Sequence, residues 1–452
     1  MKYDFIVIGG GSAGLVAAKF ANGLGKKTAI VEKYKLGGDC THFGCIPSKA
    51  LLHYSVINPS SGIRAFEHVR EMVERIYQTE TPDVFRKEGI DVIEGAARFI
   101  DSQTIEVNNV SYTARRFLLA MGSSPVVPPI SGLDSINYLT NESIFSIKEL
   151  PLSVVVLGGG PIGIELASAL NNLGVDVAVV EMSDNILPRE DRELSRILQK
   201  KLESDGIKIL TGTKVISAEQ RDGFVALKTE GTVDTVKAVK ILVAVGRRPN
   251  IDGMNLNSAG VGTDRNGVVV DKYLRTTAKN IYAAGDVVPP YQFTHVADYE
   301  AVTATRNALL PLKKAVNYAD IGWCTYTSPE LAGCGLTEEQ AINKYGDNIH
   351  VYKFENTHLD RAITDCSTTG LAKYITDRKG KILGAHILGS RAGEVVHEVM
   401  VAKKFNIPFH KLANMVHIYP TYSYSVRQPA KYAAIDMLMN NVFVKFIRGL
   451  RK

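Results

Sequence analysis

The sequence predicts an α/β fold built on two copies of one open-sheet module. Two stretches carry that prediction. The chain opens with DFIVIGGGSAGLVAAKFANGLGKKTAIVE, and SVVVLGGGPIGIELASALNNLGVDVAVVE repeats the pattern from Ser153. Each runs from an apolar strand through a glycine turn into a helical pattern, then into a second apolar strand that ends on an acid.

In the first copy a strand over 4–8 meets Gly9-x-Gly11-x-x-Gly14, and a strand over 28–31 leads to Glu32. The glycines allow a tight turn and close approach of backbone to a pyrophosphate. The helix start offers free N–H groups and a positive dipole end, and the acid meets ribose hydroxyls. The second copy has Gly158-x-Gly160-x-x-Gly163 and Glu181. In both, the acid follows the first glycine by 23 residues. A lone glycine fingerprint is a weak signal. Strand, turn, helix and acid in register twice predict two Rossmann-like dinucleotide-binding domains. Glu181 welcomes a ribose 2′-OH and repels a 2′-phosphate, so NADH is expected over NADPH. Arg189, further along, is the cation that could soften that choice.

Directly beyond the first module lies GGDCTHFGCIPSK, residues 37–49, with Cys40 and Cys45. That position sets the cysteines beside whatever the first dinucleotide carries. Pro47 suits the first turn of a helix, and a helical pattern follows. A helix N-terminus and a cation such as Lys49 both favour thiolate. The stretch therefore suits one stabilised thiolate and one exchanging thiol. A metal site would need two more ligands at matching spacing. Cys324, Cys334 and Cys366 form no such motif and His42 reads as a solvated turn residue, so no metal is expected.

The bulk numbers agree. The chain has 452 residues, 45% hydrophobic and 22% charged, which fits about three globular domains. Residues 4–9 are too short for a secretory signal, and no apolar run approaches a membrane span. Five cysteines, an odd number, argue against a secreted disulfide scaffold and for the cytoplasm. The net charge is +6, and the last eleven residues, VFVKFIRGLRK, hold four of the cations and no acid. The body is near neutral, without the basic stripe of a nucleic-acid binder.

Further segments complete a pattern: TAKNIYAAGDV ending in Gly285-Asp286-Val287, the turns Ala120-Met121-Gly122 and Gly246-Arg247-Arg248-Pro249, and TYTSPELAGCGLTEEQA at 325–341. With GGDCTHFGCIPSK they resemble the pyridine nucleotide-disulfide oxidoreductases, flavoproteins that include glutathione reductase, lipoamide dehydrogenase and mercuric reductase. The resemblance covers nearly the whole chain, and Asp39 before the first cysteine is similar to mercuric-reductase-like members. It implies FAD in the first module, with Asp286 at the ribityl region, and a nicotinamide nucleotide in the second. It implies an FAD-binding domain from 1–145 and 275–318, an NAD(P)-binding domain from 146–274, and a C-terminal α+β dimerisation domain from 319–452. The helical stretch 62–78 would belong to the FAD domain. Cys40 and Cys45 would form the redox-active disulfide, Cys45 as the flavin-proximal thiolate and Cys40 as the interchange thiol. Lys49 would sit near the flavin with Glu165 as its ion-pair partner. From the residues alone, Glu165 reads equally as a routine helix-dipole acid. A homodimer is implied, because the C-terminal motif of one chain completes the other chain's site.

That motif departs from the family. Disulfide reductases carry His-Pro-x-x-x-Glu here, whereas this chain reads HIYPTYSYSVRQPA, 417–430. Aligned on Pro420, Tyr419 replaces the His and Tyr424 its orienting Glu. A phenol near ~10 is a poor base at neutral pH, where an imidazole near ~6.5 is apt. Acceptors that need no thiol deprotonated tolerate this best: a metal ion, a reactive disulfide or persulfide, or a quinone. His417, two residues before Tyr419, would share its side of an extended chain, though a structural role fits it better. Mercuric reductases also carry a C-terminal Cys-Cys pair, which FIRGLRK lacks, so efficient mercuric reduction is not expected. Cys366, in DRAITDCSTTG, reads as part of a hairpin, and Cys324 and Cys334 as core.

From Ile435 the apolar residues 435, 438, 439, 442, 443, 446, 447 and 450 form a helical stripe, opposite Asn441, Lys445, Arg448 and Lys452. Two readings stand: a terminal helix packed on the C-terminal domain, or one lying on the inner face of an anionic membrane. The expected activity is NADH oxidation through FAD and the Cys40–Cys45 disulfide to an unassigned acceptor. The alternatives are a dihydrolipoamide-dehydrogenase-type enzyme, which the missing His and Glu oppose, and a redox-sensing flavoprotein without rapid turnover.

Overall fold

The computed structural model describes residues 2–59, 62–440 and 444. Both repeats form parallel-stranded sheets, the first extended by the antiparallel strands Thr104–Val107 and Arg98–Asp101. In the first, strand Lys2–Ile8 lies between Thr28–Glu32 and Val110–Leu119, and Asp91–Glu94 extends the sheet beyond Thr28–Glu32. Strand Ile281–Ala283 joins in parallel on Val110–Leu119, so the chain returns to its first sheet after making the second. Phe5, Ile6, Val7 and Ile30 are fully buried, as a sheet covered on both faces requires. Helix Ser12–Gly23 packs on helix Thr294–Leu309, and fully buried Ala17, Ala18, Ala21, Ala301 and Ala304 keep the two close.

The second sheet orders Lys208–Leu210, Asp176–Val180, Ser153–Leu157 and Lys240–Val243, all parallel. An antiparallel ribbon, Lys214–Arg221, Phe224–Glu230 and Thr235–Ala238, flanks it. The third sheet is antiparallel and five-stranded, ordered Gly322–Thr325, Glu330–Gly335, Ile382–Gly389, Leu371–Asp377 and Ile349–Glu355. Helices Ala392–Lys404 and Tyr424–Asn440 cover it.

Helix Cys45–Ile57 and its neighbour Gly62–Tyr77 bridge the two modules. Their buried Leu51, Leu52, Phe66 and Val69 share a core with Ile164, Leu166 and Leu170 of the second. The helix that begins at Cys45 is therefore gripped from the second module. Most of the C-terminal stripe, and with it Asn441, Lys445, Arg448 and Lys452, lies outside the described residues. Within them, helix Tyr424–Asn440 leaves Ile435, Leu438 and Met439 exposed. Among the described residues no helix is long and apolar enough to cross a membrane.

Two cysteines depart from expectation. Cys366 is not in a hairpin; it follows helix Asp360–Thr364 in a left-handed turn, φ 52°, which ends the helix. Cys334 is fully buried on its strand, but Cys324 is only partly buried and lines the central cleft.

Candidate active site

The two glycine turns are near-identical devices. Gly9 and Gly158 have φ of 102° and 106°, and a Cβ on either would strike the carbonyl of Ala120 or Ala244. A Cβ on Gly14 or Gly163 would strike the first glycine's carbonyl, so helix and strand pack closely there. Gly11 and Gly160 face open space or nearly so, which leaves the room that a pyrophosphate would need. The acids close each turn. Glu32 accepts from the N–H groups of Gly10 (2.6 Å) and Tyr34 (2.8 Å). Glu181 accepts from Gly159 (2.6 Å) and Ser183 (2.7 Å). Each carboxylate keeps lone pairs for ribose hydroxyls. Both turns open on one cleft of about 2130 Å³, beyond the ~300–1,000 Å³ of an ordinary small-molecule pocket. The residues and the space fit two dinucleotides.

The first cradle continues through Gly122 and Gly285, with φ of 67° and 77°. Ser123 donates to Asp286 (2.7 Å), while burial pushes the Asp286 carboxyl up. The Gly285 N–H donates to Glu300, a fully buried acid pushed up to about 7 by burial. Arg247, next to Gly246 of the second module, donates to Ser123 Oγ (2.7 Å) and pairs with Asp39 (3.3 Å). One arginine thus ties the Gly122–Ser123 turn to the loop that carries the cysteines. Asn141 also donates to Asp39 and to the carbonyl of Phe43, each at 3.2 Å.

Cys40 sits in the short helix Gly38–His42, and Cys45 is the first residue of helix Cys45–Ile57. His42 reaches back to the carbonyl of Leu36 (2.8 Å) rather than standing solvated. Both cysteines are free thiols that hydrogen-bond each other. The bond from Cys40 draws the Cys45 thiol down to about 6, and the Thr294 hydroxyl at 3.2 Å and the Lys49 charge act with it against burial. Donating that bond, together with burial, pushes Cys40 well up. The pair therefore shares one proton, held on Cys40, with thiolate on Cys45. One turn on, Lys49 donates to Glu165 at 2.7 Å. The other Glu165 oxygen accepts from the Tyr326 N–H (2.9 Å), and Lys49 lies 4.5 Å over the Tyr326 ring. The acid is 5% exposed, so the ion pair outweighs the bland helix-dipole reading.

Within one chain, Tyr419 and Tyr424 lie outside this cleft, in a small cleft of the C-terminal domain. Their rings meet edge-on at 5.4 Å, but the Tyr419 hydroxyl donates to Asp360 (2.9 Å), and the Tyr424 hydroxyl accepts from Arg427. His417 does not share the face of Tyr419. It is buried, bonded to Glu398 (2.9 Å) and the carbonyl of Met415 (3.1 Å), while Tyr419 is 61% exposed. Thr294, Tyr326, Asp360 and Glu398 were not legible from motifs. Thr294 lies 249 residues from Cys45 in the chain, and no local spacing announces that contact. No group of three or more His, Cys, Asp or Glu is placed to hold a metal among the described residues.

The pyridine nucleotide-disulphide oxidoreductase profile matches residues 3–301, and the dimerisation domain of the same family matches 321–430. Mercuric reductase from Bacillus cereus is 35% identical over 440 residues, covering 93% of this chain and 69% of that protein. Dihydrolipoyl dehydrogenase from Bacillus subtilis (strain 168) is 33% identical, covering 95% and 97%. The Cu(II) complex of RclA, an HOCl-induced flavoprotein disulfide reductase from Escherichia coli, superposes with a TM-score of 0.90 at 28% identity, covering 96% of this chain and 99% of that one. Paired nucleotide cradles, a thiol–thiolate pair between them and matches along nearly the whole length lead to one assignment: the chain belongs to the pyridine nucleotide-disulphide oxidoreductases, flavin-dependent enzymes that use FAD with NAD(P)H.

Proposed function

We propose that the protein passes electrons from NADH, through FAD, to the Cys40–Cys45 pair and on to a metal ion such as Cu(II). The observation that carries the reading is the asymmetric pair, with thiolate at Cys45 and thiol at Cys40 beside the Lys49–Glu165 ion pair. FAD, once bound, supplies the exchange between a hydride donor and a disulfide. Gly9, Gly11, Gly14, Glu32, Gly122, Gly285 and Asp286 would hold it. Gly158, Gly160, Gly163, Glu181 and Gly246 would hold the nicotinamide nucleotide, and the Glu181 carboxylate disfavours a 2′-phosphate. Cys45 keeps the negative charge that the Lys49 cation stabilises. Cys40, which carries the proton, is the sulfur free to meet the acceptor.

A metal ion is favoured because Tyr419, whose phenol Asp360 holds above its ordinary value, supplies no base at neutral pH. Oxidation of the pair balances without one: thiol plus thiolate give the disulfide, one proton and two electrons, which reduce two Cu(II) to two Cu(I). RclA, described as a complex with Cu(II), supports the same choice. The active unit would be a cytoplasmic homodimer, with Tyr419 presented across the interface to the other chain's cysteines. The FAD, NAD(P) and dimerisation segments would be those read from the sequence.

Steady-state NADH oxidation tests this, with Cu(II) and lipoamide as rival acceptors. The proposal expects turnover with Cu(II) that Cys40→Ser abolishes. Lipoamide turnover exceeding that with Cu(II) would favour the dihydrolipoyl-dehydrogenase reading, and reduction of the protein without turnover of either would favour a sensor.

A further inference from the structure

A phenol carries one proton, so the direction of its hydrogen bond decides what it can offer. Tyr419 donates to Asp360 Oδ2 at 2.9 Å, and a carboxylate can only accept. The neighbours are committed elsewhere. Arg361 is paired with Asp365, Tyr424 accepts from Arg427, and His417 bonds Glu398. The Tyr424 ring against Tyr419 limits how far the phenol can swing. Tyr419 is left with lone pairs alone to offer any further partner, and a carboxylate stands directly behind it. Asp360, lying outside the family's signature segments, has no motif to announce it.

We propose that Asp360 is the positioning residue of the acceptor site: by holding the Tyr419 proton it makes the phenol a hydrogen-bond acceptor for a hydrated metal cation and withholds the proton that a disulfide acceptor needs. The inference rests on the reading above, in which Tyr419 faces the cysteines of the second chain. Water bound to a cation donates strongly, and the carboxylate behind the phenol adds a charge that attracts the cation. A disulfide acceptor instead produces a leaving thiolate that must be protonated. Asp360 holds Tyr419 above its ordinary value, so the phenol gives up its proton reluctantly. The dyad that serves thiol chemistry elsewhere in the family is thus replaced by a pair that offers lone pairs but no readily moved proton. The electron step is the one written above, with one proton released to solvent and none taken from Tyr419.

The test uses FAD-loaded Asp360→Ala, Asp360→Asn, Tyr419→Phe and the Tyr419→Phe/Asp360→Ala double variant. KM and kcat are measured for Cu(II), supplied as its glycine complex, and for lipoamide. Asp360→Ala is expected to raise KM for Cu(II) by about tenfold, as loss of a charge-assisted contact does, while lipoamide reduction stays level or rises. Asp360→Asn, which still accepts the phenol proton but lacks the charge, should give a KM for Cu(II) between those of the unaltered enzyme and Asp360→Ala. The double variant should be no worse than Tyr419→Phe. Equal losses for both acceptors, or a further loss in the double variant, would overturn the proposal. If Cys40→Ser abolishes Cu(II) reduction while Tyr419→Phe and Asp360→Ala leave it intact, the functional reading stands and this inference alone falls. If the unaltered enzyme does not reduce Cu(II), both fall.

Discussion

At the scale of single residues, the proposed chemistry rests on the thiol–thiolate pair. In the reduced protein Cys45 ionises near 6, against 9.0 for an ordinary cysteine, because Cys40 and Thr294 donate to it and Lys49 lies close. Between those values the folded chain has released a proton that the unfolded chain keeps, so stability rises with pH. The contribution fades as pH falls through 6, and above 9 the raised Cys40 reverses the trend. A titration of thiolate absorbance should give an apparent value near 6, and urea melts of the dithiol form should show the same window. Thr294→Val should move that value upward; an unchanged titration would remove Thr294 from the site. The cysteines and Lys49 were legible because their spacing is local. Thr294 and Asp360 were not, because only tertiary folding brings them to Cys45 and Tyr419.

At the scale of elements, two turns and one helix organise the cleft. The glycine turns were legible from their spacing, since the first and third glycine of each answer a steric demand that any side chain would violate. The helix Cys45–Ile57 was legible at its start but not in its packing. Its apolar face meets the second module, a pairing that helical periodicity alone cannot assign. That packing carries Lys49 to Glu165. Lys49→Met would leave the acid buried without its cation, at a cost of about 1–3 kcal/mol for an unpaired buried group, and would weaken the Cys45 thiolate. Denaturant unfolding and the thiolate titration should shift together. Glu181 makes a separate prediction at its turn. Glu181→Ala should raise KM for NADH and narrow its advantage over NADPH, and an unchanged ratio would take specificity away from that acid.

At the scale of the molecule, the C-terminal domain is locked to the second module by buried charge. Lys373, with its side chain 2% exposed, bonds Asp191 (2.7 Å), Glu193 (2.6 Å) and Glu338 (2.7 Å). Burial works against the Asp191 charge, yet Lys373 holds its carboxyl below the usual range. Lys373→Met would leave acids facing one another and should cost about 3–5 kcal/mol, seen as a lower unfolding midpoint. Nothing in the sequence announces this lock, because its members come from distant elements and form no motif. The three-part architecture, by contrast, was legible from repeated modules and the segment at 325–341. The exchange of His-Pro-x-x-x-Glu for a tyrosine pair was legible too, but not the acid that would give that exchange its chemical sense.

On the proposed route, electrons leave through the cysteine pair. An anaerobic titration of the FAD-loaded protein with NADH, followed by absorbance, tests it most directly. A long-wavelength thiolate-to-flavin band is expected at one equivalent of NADH, lost in Cys45→Ser. Direct bleaching of the flavin with no such band, in protein with both cysteines intact, would contradict it.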